Sequence, residues 1–175
     1  MAWTTPAAAT TGATLTKSWL DTYVTDNMVD VGQPGIAFAA MVSTQVWNSV
    51  GSEAYATRIA LDTLTISKNT SLSSNALVFS VGGIWMVSAS VRWPSTASAS
   101  AGSVRAVKLY QNNVATAARD VRLNVQNVDT ICHIPATPIS VSAGGYVDIR
   151  GWQNSGGNLT IGSQIYLAAV LVHRS

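Results

Sequence analysis

The stretch Gly82-Gly83-Ile84-Trp85-Met86-Val87-Ser88-Ala89-Ser90-Val91-Arg92-Trp93 decides the fold. From Ile84 onward the side chains alternate, with Trp85, Val87, Ala89, Val91 and Trp93 on one face and Met86, Ser88, Ser90 and Arg92 on the other. A period of two over this length marks a half-buried strand of an antiparallel sheet. The same texture continues on both sides, predicting strands over 36–43, 45–50, 58–66, 76–81, 84–93, 104–111, 114–125, 128–134, 139–142, 146–153 and 158–172, the last broken at Gly162. Turn residues such as Asn112-Asn113, Gly144-Gly145 and Gly156-Gly157-Asn158 separate the runs. Short strands punctuated in this way predict an all-β protein, an antiparallel jelly-roll sandwich of roughly ten strands, rather than an α/β enzyme fold. In the last run Tyr166, Ala168, Val170 and Val172 oppose Ile165, Leu167, Ala169 and Leu171. Apolar residues on both faces predict burial on two sides, one of them against another subunit. The low-complexity loop 94–103 is expected to be the most mobile part of the domain.

Upstream of residue 34 the pattern changes. Residues 1–14 form an Ala/Thr arm with Pro6 and Gly12 as breakers. Such a segment cannot bury enough apolar surface to fold alone, which makes Trp3 a docking anchor. Over 15–33, Leu15, Trp19 and Tyr23 fall four apart, Leu20, Val24 and Met28 form an adjoining row, and Lys17, Asp21, Asp26 and Asp30 fall elsewhere. This predicts an amphipathic helix with Thr16 as N-cap, stopped by Gly32 and Pro34. At roughly 24 Å it is too short to be stable in isolation, so its apolar face needs a partner. The expected division is an arm at 1–14, an attachment helix at 15–33 and a head at 34–175.

Charged residues make up only 10% of the chain against 47% hydrophobic, with a formal net charge of +2. A lone soluble monomer normally carries more ions on its surface, so surface is expected to be hidden between copies. Arg58, Lys68, Arg92, Arg105, Lys108, Arg119, Arg122 and Arg150 are scattered, without the basic stripe that nucleic-acid binding requires. No stretch is apolar enough to span a bilayer, and Met-Ala-Trp-Thr-Thr-Pro lacks the basic start and apolar run of a signal peptide. Neither Sec export nor a membrane anchor is expected. Cys132 is the single cysteine. An internal disulfide is therefore impossible, which suits a reducing cytoplasm, and the thiol reads as a small buried hydrophobe. Asn69-Thr70-Ser71 and Asn158-Leu159-Thr160 read as chance matches to the glycosylation triplet.

Reactive constellations are lacking. The histidines are His133 and His173. No Gly-x-Ser-x-Gly elbow accompanies them, and His133 reads as a partly buried ring in a strand. Cys132 and His133 are adjacent in a strand and point to opposite faces, so they do not converge on a metal. The eight carboxylates form no calcium-type loop and read as solvated loop and helix acids. No cofactor is expected. Of the six tryptophans, Trp85, Trp93 and Trp152 sit in strands and read as core.

A family resemblance rests on Ile59-Ala-Leu-Asp62, Phe79-Ser-Val-Gly-Gly-Ile-Trp-Met-Val-Ser-Ala-Ser-Val91, Val107-Lys-Leu-Tyr-Gln-Asn-Asn113, Ile139-Ser-Val-Ser-Ala-Gly-Gly-Tyr-Val-Asp-Ile149 and Ser163-Gln-Ile-Tyr-Leu-Ala-Ala-Val-Leu171. In this order they resemble the ten-stranded jelly-roll head shared by complement C-one-q and tumour necrosis factor. Gly83-Ile-Trp85 stands where that family has Gly-x-Tyr, and Ala143-Gly-Gly-Tyr-Val147 where it has Ala-Gly-Asp-x-Val. Gly145 thus replaces the aspartate, and no acidic cluster is seen that would carry over calcium sites. The arm and helix are similar to the N-terminal segment of small virion proteins of tailed phages infecting actinobacteria, through Ala2-Trp-Thr-Thr-Pro6, Gly12, Leu15-Thr16, Trp19-Leu20, Tyr23-Val24 and Asp26-Asn-Met28.

The resemblance implies a homotrimer whose Phe38, Tyr166, Ala168 and Val170 lie at the subunit interface near the three-fold axis. It also implies attachment to a virion through Trp3, Leu15, Trp19 and Tyr23. The expected role is a non-enzymatic minor tail or tail-tip component, made and assembled in the host bacterial cytoplasm, with the head contacting the host surface. Partners are then the chain itself, other virion proteins of tail or capsid and a host glycan, with no nucleic acid and no membrane. Competing roles are a capsid decoration or head-fibre trimer, a carbohydrate-binding adhesin using exposed tryptophans, and a cell-wall hydrolase.

Overall fold

The computed structural model describes residues 34–95, 102–125 and 127–175. The expected arm 1–14 and helix 15–33, with Trp3, Leu15, Trp19 and Tyr23, lie outside the described residues, as does most of the 94–103 loop. Among the described residues are twelve strands: β1 Ile36–Ala40, β2 Gln45–Trp47, β3 Thr63–Lys68, β4 Thr70–Ser73, β5 Ala76–Phe79, β6 Gly83–Trp93, β7 Val104–Gln111, β8 Val114–Leu123, β9 Thr130–Val141, β10 Tyr146–Gln153, β11 Leu159–Ile161 and β12 Ile165–Arg174. One five-stranded sheet runs β3-β1-β12-β6-β9, a second runs β4-β5-β10-β7-β8, and β11 pairs with β2. All pairings are antiparallel. The two large sheets face each other across the core as a jelly-roll sandwich.

The inner row read from the sequence of β6 is the floor of that core: Trp85, Val87, Ala89, Val91 and Trp93 are each fully buried. Trp85 packs on Phe79 at 4.5 Å between centroids, and Trp93 meets Trp47 edge-on at 5.6 Å. Each aromatic contact of this kind adds about 0.5–1.5 kcal/mol beyond the area it buries. From β12, Ile165, Leu167 and Ala169 point into the same core.

Several boundaries differ from expectation, each for a tertiary reason. The runs 128–134 and 139–142 are one strand, β9. Pro135 and Pro138 are tolerated there because β9 is an edge strand with only β6 beside it, and a register shift between Val87 and Ala89 absorbs the irregularity. The run 58–66 is a strand only from Thr63. Its first part leaves the sheet to lie along the open edge of β10, where Arg58 bridges Arg150, Ile59 N–H donates to Ile149 O at 2.9 Å, and Val50 N–H donates to Gln153 O at 3.0 Å. β4, Thr-Ser-Leu-Ser, is too polar to stand out by pattern and is held by its pairing with β5.

Register also orients the chain. Leu171 N–H donates to Gly35 O at 2.8 Å, so residues 34 and 35 lie at the end where β6 begins and β12 finishes. The β6–β7, β8–β9, β10–β11 and β11–β12 connections all lie at the opposite end. At that far end the Asp62 carboxylate accepts from the backbone N–H of Val42 at 2.9 Å and of Ser43 at 2.8 Å, closing the turn after β1.

Gly83 is confined by geometry: at φ +153, a Cβ placed there would stand 2.2 Å from His173 O. Gly83→Ala is expected to destabilise the head by about 1–3 kcal/mol in urea denaturation. Gly51→Ala, where nothing lies within 4 Å, should stay within about 0.5 kcal/mol. Hydrogen bonds from the Ser43 side chain and then from the Val42 and Ser43 backbone hold the Asp62 carboxyl down at about 2. Because its folded value is depressed, its stabilising contribution is complete above the ordinary carboxylate range and fades as pH falls from about 4 towards 2. An acid titration of melting temperature should show that loss, and Asp62→Asn should flatten it.

Candidate functional site

The sheet pairings that fix the core also fix what faces outward. Across the first sheet, Ile66, Phe38, Ala168 and Ser88 form one cross-strand row, and Lys68, Ile36, Val170, Met86 and Pro138 form the next. Phe38 and Tyr166 stack on this face with centroids 5.4 Å apart and planes 24° apart. Ile36, Ile66, Ile84 and Val170 are 37–47% exposed, while Phe38, Tyr166, Ala168 and Met86 are half-buried by their neighbours. Within the described residues, the charge of this sheet lies towards its margins: Lys68 on the β3 edge, Arg92 near the far end, where it is bonded to Asp129, and Arg174 at the end of β12. A contiguous apolar surface rimmed by polar groups is the mark of an interaction site.

All four residues expected at the subunit interface, Phe38, Tyr166, Ala168 and Val170, therefore lie together on one exposed sheet face. Ile36, Ile66 and Ile84 join them, and alternation alone does not find these three, because it says nothing about which strands are neighbours. Of the two buried sides expected for the last strand, one fills the core, and the other lies on this open face, where Val170 and Val172 are exposed in the single chain. Beside it, along the open edge of the sandwich between β8 and β9, runs a groove of about 580 Å³ lined by Val114, Ala115, Thr116, Ala118, Pro138 and Ile139 among others. Pro138 belongs to both surfaces.

The second sheet treats its outer face differently. Asp148 is fully buried there between two guanidinium groups, Arg150 Nε at 2.7 Å and Arg58 Nε at 3.1 Å. Asn113 Oδ1 accepts from Arg150 Nη2 at 2.7 Å and from Arg58 Nη2 at 3.1 Å. Arg150 lies 4.0 Å above the Tyr110 ring and Arg58 lies 5.0 Å from that of Tyr146. The cluster clips residues 50–62 onto the sheet, and Trp152 Nε1 donating to Val50 O at 3.2 Å extends the seam. The reading of the carboxylates as solvated acids is corrected at Asp148. Its signal was present, since Asp148 and Arg150 are two apart in one strand and so share a face.

Groups able to carry chemistry are dispersed. His133 is exposed, not partly buried as its strand position suggested, because β9 turns alternate residues outward at the sheet edge; Cys132, next to it, points inward. Burial pushes the Cys132 thiol up to about 12, so it stays protonated and unreactive at neutral pH. Among the described residues no three His, Cys, Asp or Glu side chains converge as a metal site would need. Trp47, Trp85, Trp93 and Trp152 are all buried, so none of them offers a sugar-stacking platform.

No family model and no curated protein matches this chain. Solved structures do. Eiger TNF from S. frugiperda superposes with a TM-score of 0.62 at 9% identity, over 82% of this chain and 96% of that one. Murine APRIL gives 0.57 at 11% identity, over 80% and 100%. The globular domain of zebrafish complement 1qA gives 0.58 at 9% identity, over 81% and 99%. The head is thus a jelly roll of the tumour necrosis factor and C1q type, and at these identities the likeness is one of fold.

Asp148→Asn should cost about 3–5 kcal/mol, because it leaves two guanidinium groups clustered without their counter-ion. Chemical denaturation checks this, and proteolysis should cut first within 50–62 if the clip has been released.

Proposed function

We propose that this chain is a non-enzymatic structural head that assembles as a homotrimer and is held on a larger particle by residues 1–33. The observation that carries the proposal is the nearly uncharged outer face of the first sheet, with Phe38 stacked on Tyr166 at its centre. Burying it would return about 25 cal/mol for each Å² of apolar area. The face and the β8–β9 groove meet at Pro138 but point different ways, and a face that packs into a neighbour's edge makes a head-to-tail contact, which forms a ring when its rotation closes at three copies. The low proportion of charge over the whole chain supports the same reading.

The particle we assign is the virion of a tailed phage, with the chain as a minor tail or tail-tip component. Support comes from the sequence of the N-terminal segment, which is similar to that of small phage virion proteins. It comes also from polarity, since residue 34 leaves the head at one end while most long connections sit at the other, facing away from the attachment point and towards a host surface. A decoration trimer on the capsid would use the same chemistry. A glycan partner at the far end would have to be held by loop residues, given the buried tryptophans.

Light scattering is expected to give three times the 18.3 kDa chain mass at micromolar concentration; a monomer would overturn the assembly. Val170→Asp places a charge at an exposed position that the isolated head tolerates, and should reduce the mass to that of the monomer. A chain starting at residue 34 should fold and trimerise yet be missing from particles, with Trp3→Ala intermediate. Incorporation of that truncated head at normal copy number would end the attachment model.

A further inference from the structure

The pairing of the second sheet puts four cations in one line. Lys108 of β7 stands directly opposite Arg150 of β10 on one side and Arg119 of β8 on the other, and Arg58 bridges Arg150 from beyond the open edge of β10. Lys108 and Arg150 alternate with the core residues Leu109 and Ile149, so the row lies on the outer face. Strand spacing makes it about 14 Å long. Along the chain these residues are spread from 58 to 150, which is why they read as scattered.

Like charges directly opposite each other destabilise a sheet, and every neighbouring pair in this row is of like charge. Compensation is partial. Asp148 binds Arg58 and Arg150, and Glu53 reaches Arg119 at 3.3 Å. Lys108 meets no carboxylate among the described residues, only the Tyr55 ring at 5.7 Å. Two carboxylates against four cations leave the row positive. Arg58 and Arg150 are fixed around Asp148 and supply field, whereas Lys108 and Arg119 form the accessible end. The Arg119–Glu53 pair is 53% and 46% exposed, and such a pair is weak enough for an incoming anion to replace Glu53. A guanidinium fork matches the two free oxygens of a phosphodiester, and an ammonium beside it adds a point charge. On an exposed face a single small ion is poorly held, because salt screens it within about 8 Å. A polymer that meets several cations at once gains from each. The face assigned to assembly belongs to the other sheet, so ring closure leaves this row facing outward.

We propose that the row Arg58–Arg150–Lys108–Arg119 docks a linear anionic polymer with phosphodiesters in its backbone, of the class that coats bacterial cells. The binding chemistry follows from the row alone; that the polymer is bacterial rests on the reading of the chain as a virion protein. Immobilised poly(glycerol phosphate) is expected to capture the full chain, and uncharged dextran is not. Capture should fall steeply as sodium chloride rises from about 50 to about 500 mM. Lys108→Gln should weaken it by about tenfold, as expected for one charge-assisted contact, while Lys108→Arg retains it. Because Lys108→Gln removes like-charge repulsion on both sides, it should not lower the melting temperature. If that variant does not fold, Arg119→Gln, at the exposed end of the row, gives the same test. No capture, capture that is indifferent to salt, or full capture by the folded Gln variant would each overturn the proposal. Tighter binding to single-stranded DNA of equal phosphate number would also overturn it, by making nucleic acid the partner. A monomer in light scattering would leave this test standing, since each head carries the whole row.

Discussion

The two sheets are held apart by the inner row of β6, with an indole near each end. Trp85 fills the space against Phe79, and its ring lies so close to Gly35 that a Cβ there would approach to 2.2 Å. Trp93 does the same at the other end against Trp47 and Gly151. A close-packed interior does not compress around such rings, so the chain opposite them has to be glycine or open. Because β6 is paired on both sides, by β12 and the edge strand β9, its backbone groups are satisfied and it can lie inside its sheet. Once the tryptophan row points inward, parity sends Met86 outward, and the pairing with β12 carries Tyr166, Ala168 and Val170 out with it. The exposed apolar face is thus a consequence of the core.

Charge is spent elsewhere. Asp148 gathers Arg58 and Arg150 to fasten a long connection over the second sheet, Asp129 binds Arg92, and Asp120 pairs with Arg122 on β8. The burial of Asp148 is tolerable because two guanidinium groups and the hydrogen bonds through Asn113 surround it. The second sheet therefore carries its own cover, while the first sheet has none within the described residues. This asymmetry, rather than composition averaged over the chain, makes the first sheet the side on which association would be stabilising.

Alternation along single strands was enough to read the class, the ends of β7 and β10, the inward Trp85 and Trp93 and the two-faced character of β12, because side-chain parity in a strand is a local property set by the backbone. Trp152 shares the outward parity of Asp148 and is buried instead beneath the segment at Val50. The glycine-flanked opening of β6 and the ordered segments from Ile59 to Leu171 were likewise enough to suggest the jelly-roll head. What no single strand contains is the identity of its neighbours. That Ile36 and Ile66 join Phe38, that Pro138 links the outer face to a groove, that β9 runs unbroken through two prolines, and that Arg58 meets Asp148 across ninety positions of sequence all depend on pairing between distant segments. Arg105 belongs to the same class: the sequence shows an arginine in an alternating strand, and only the packing of the first sheet against its own buries the guanidinium beside Trp93 O and Thr130 Oγ1.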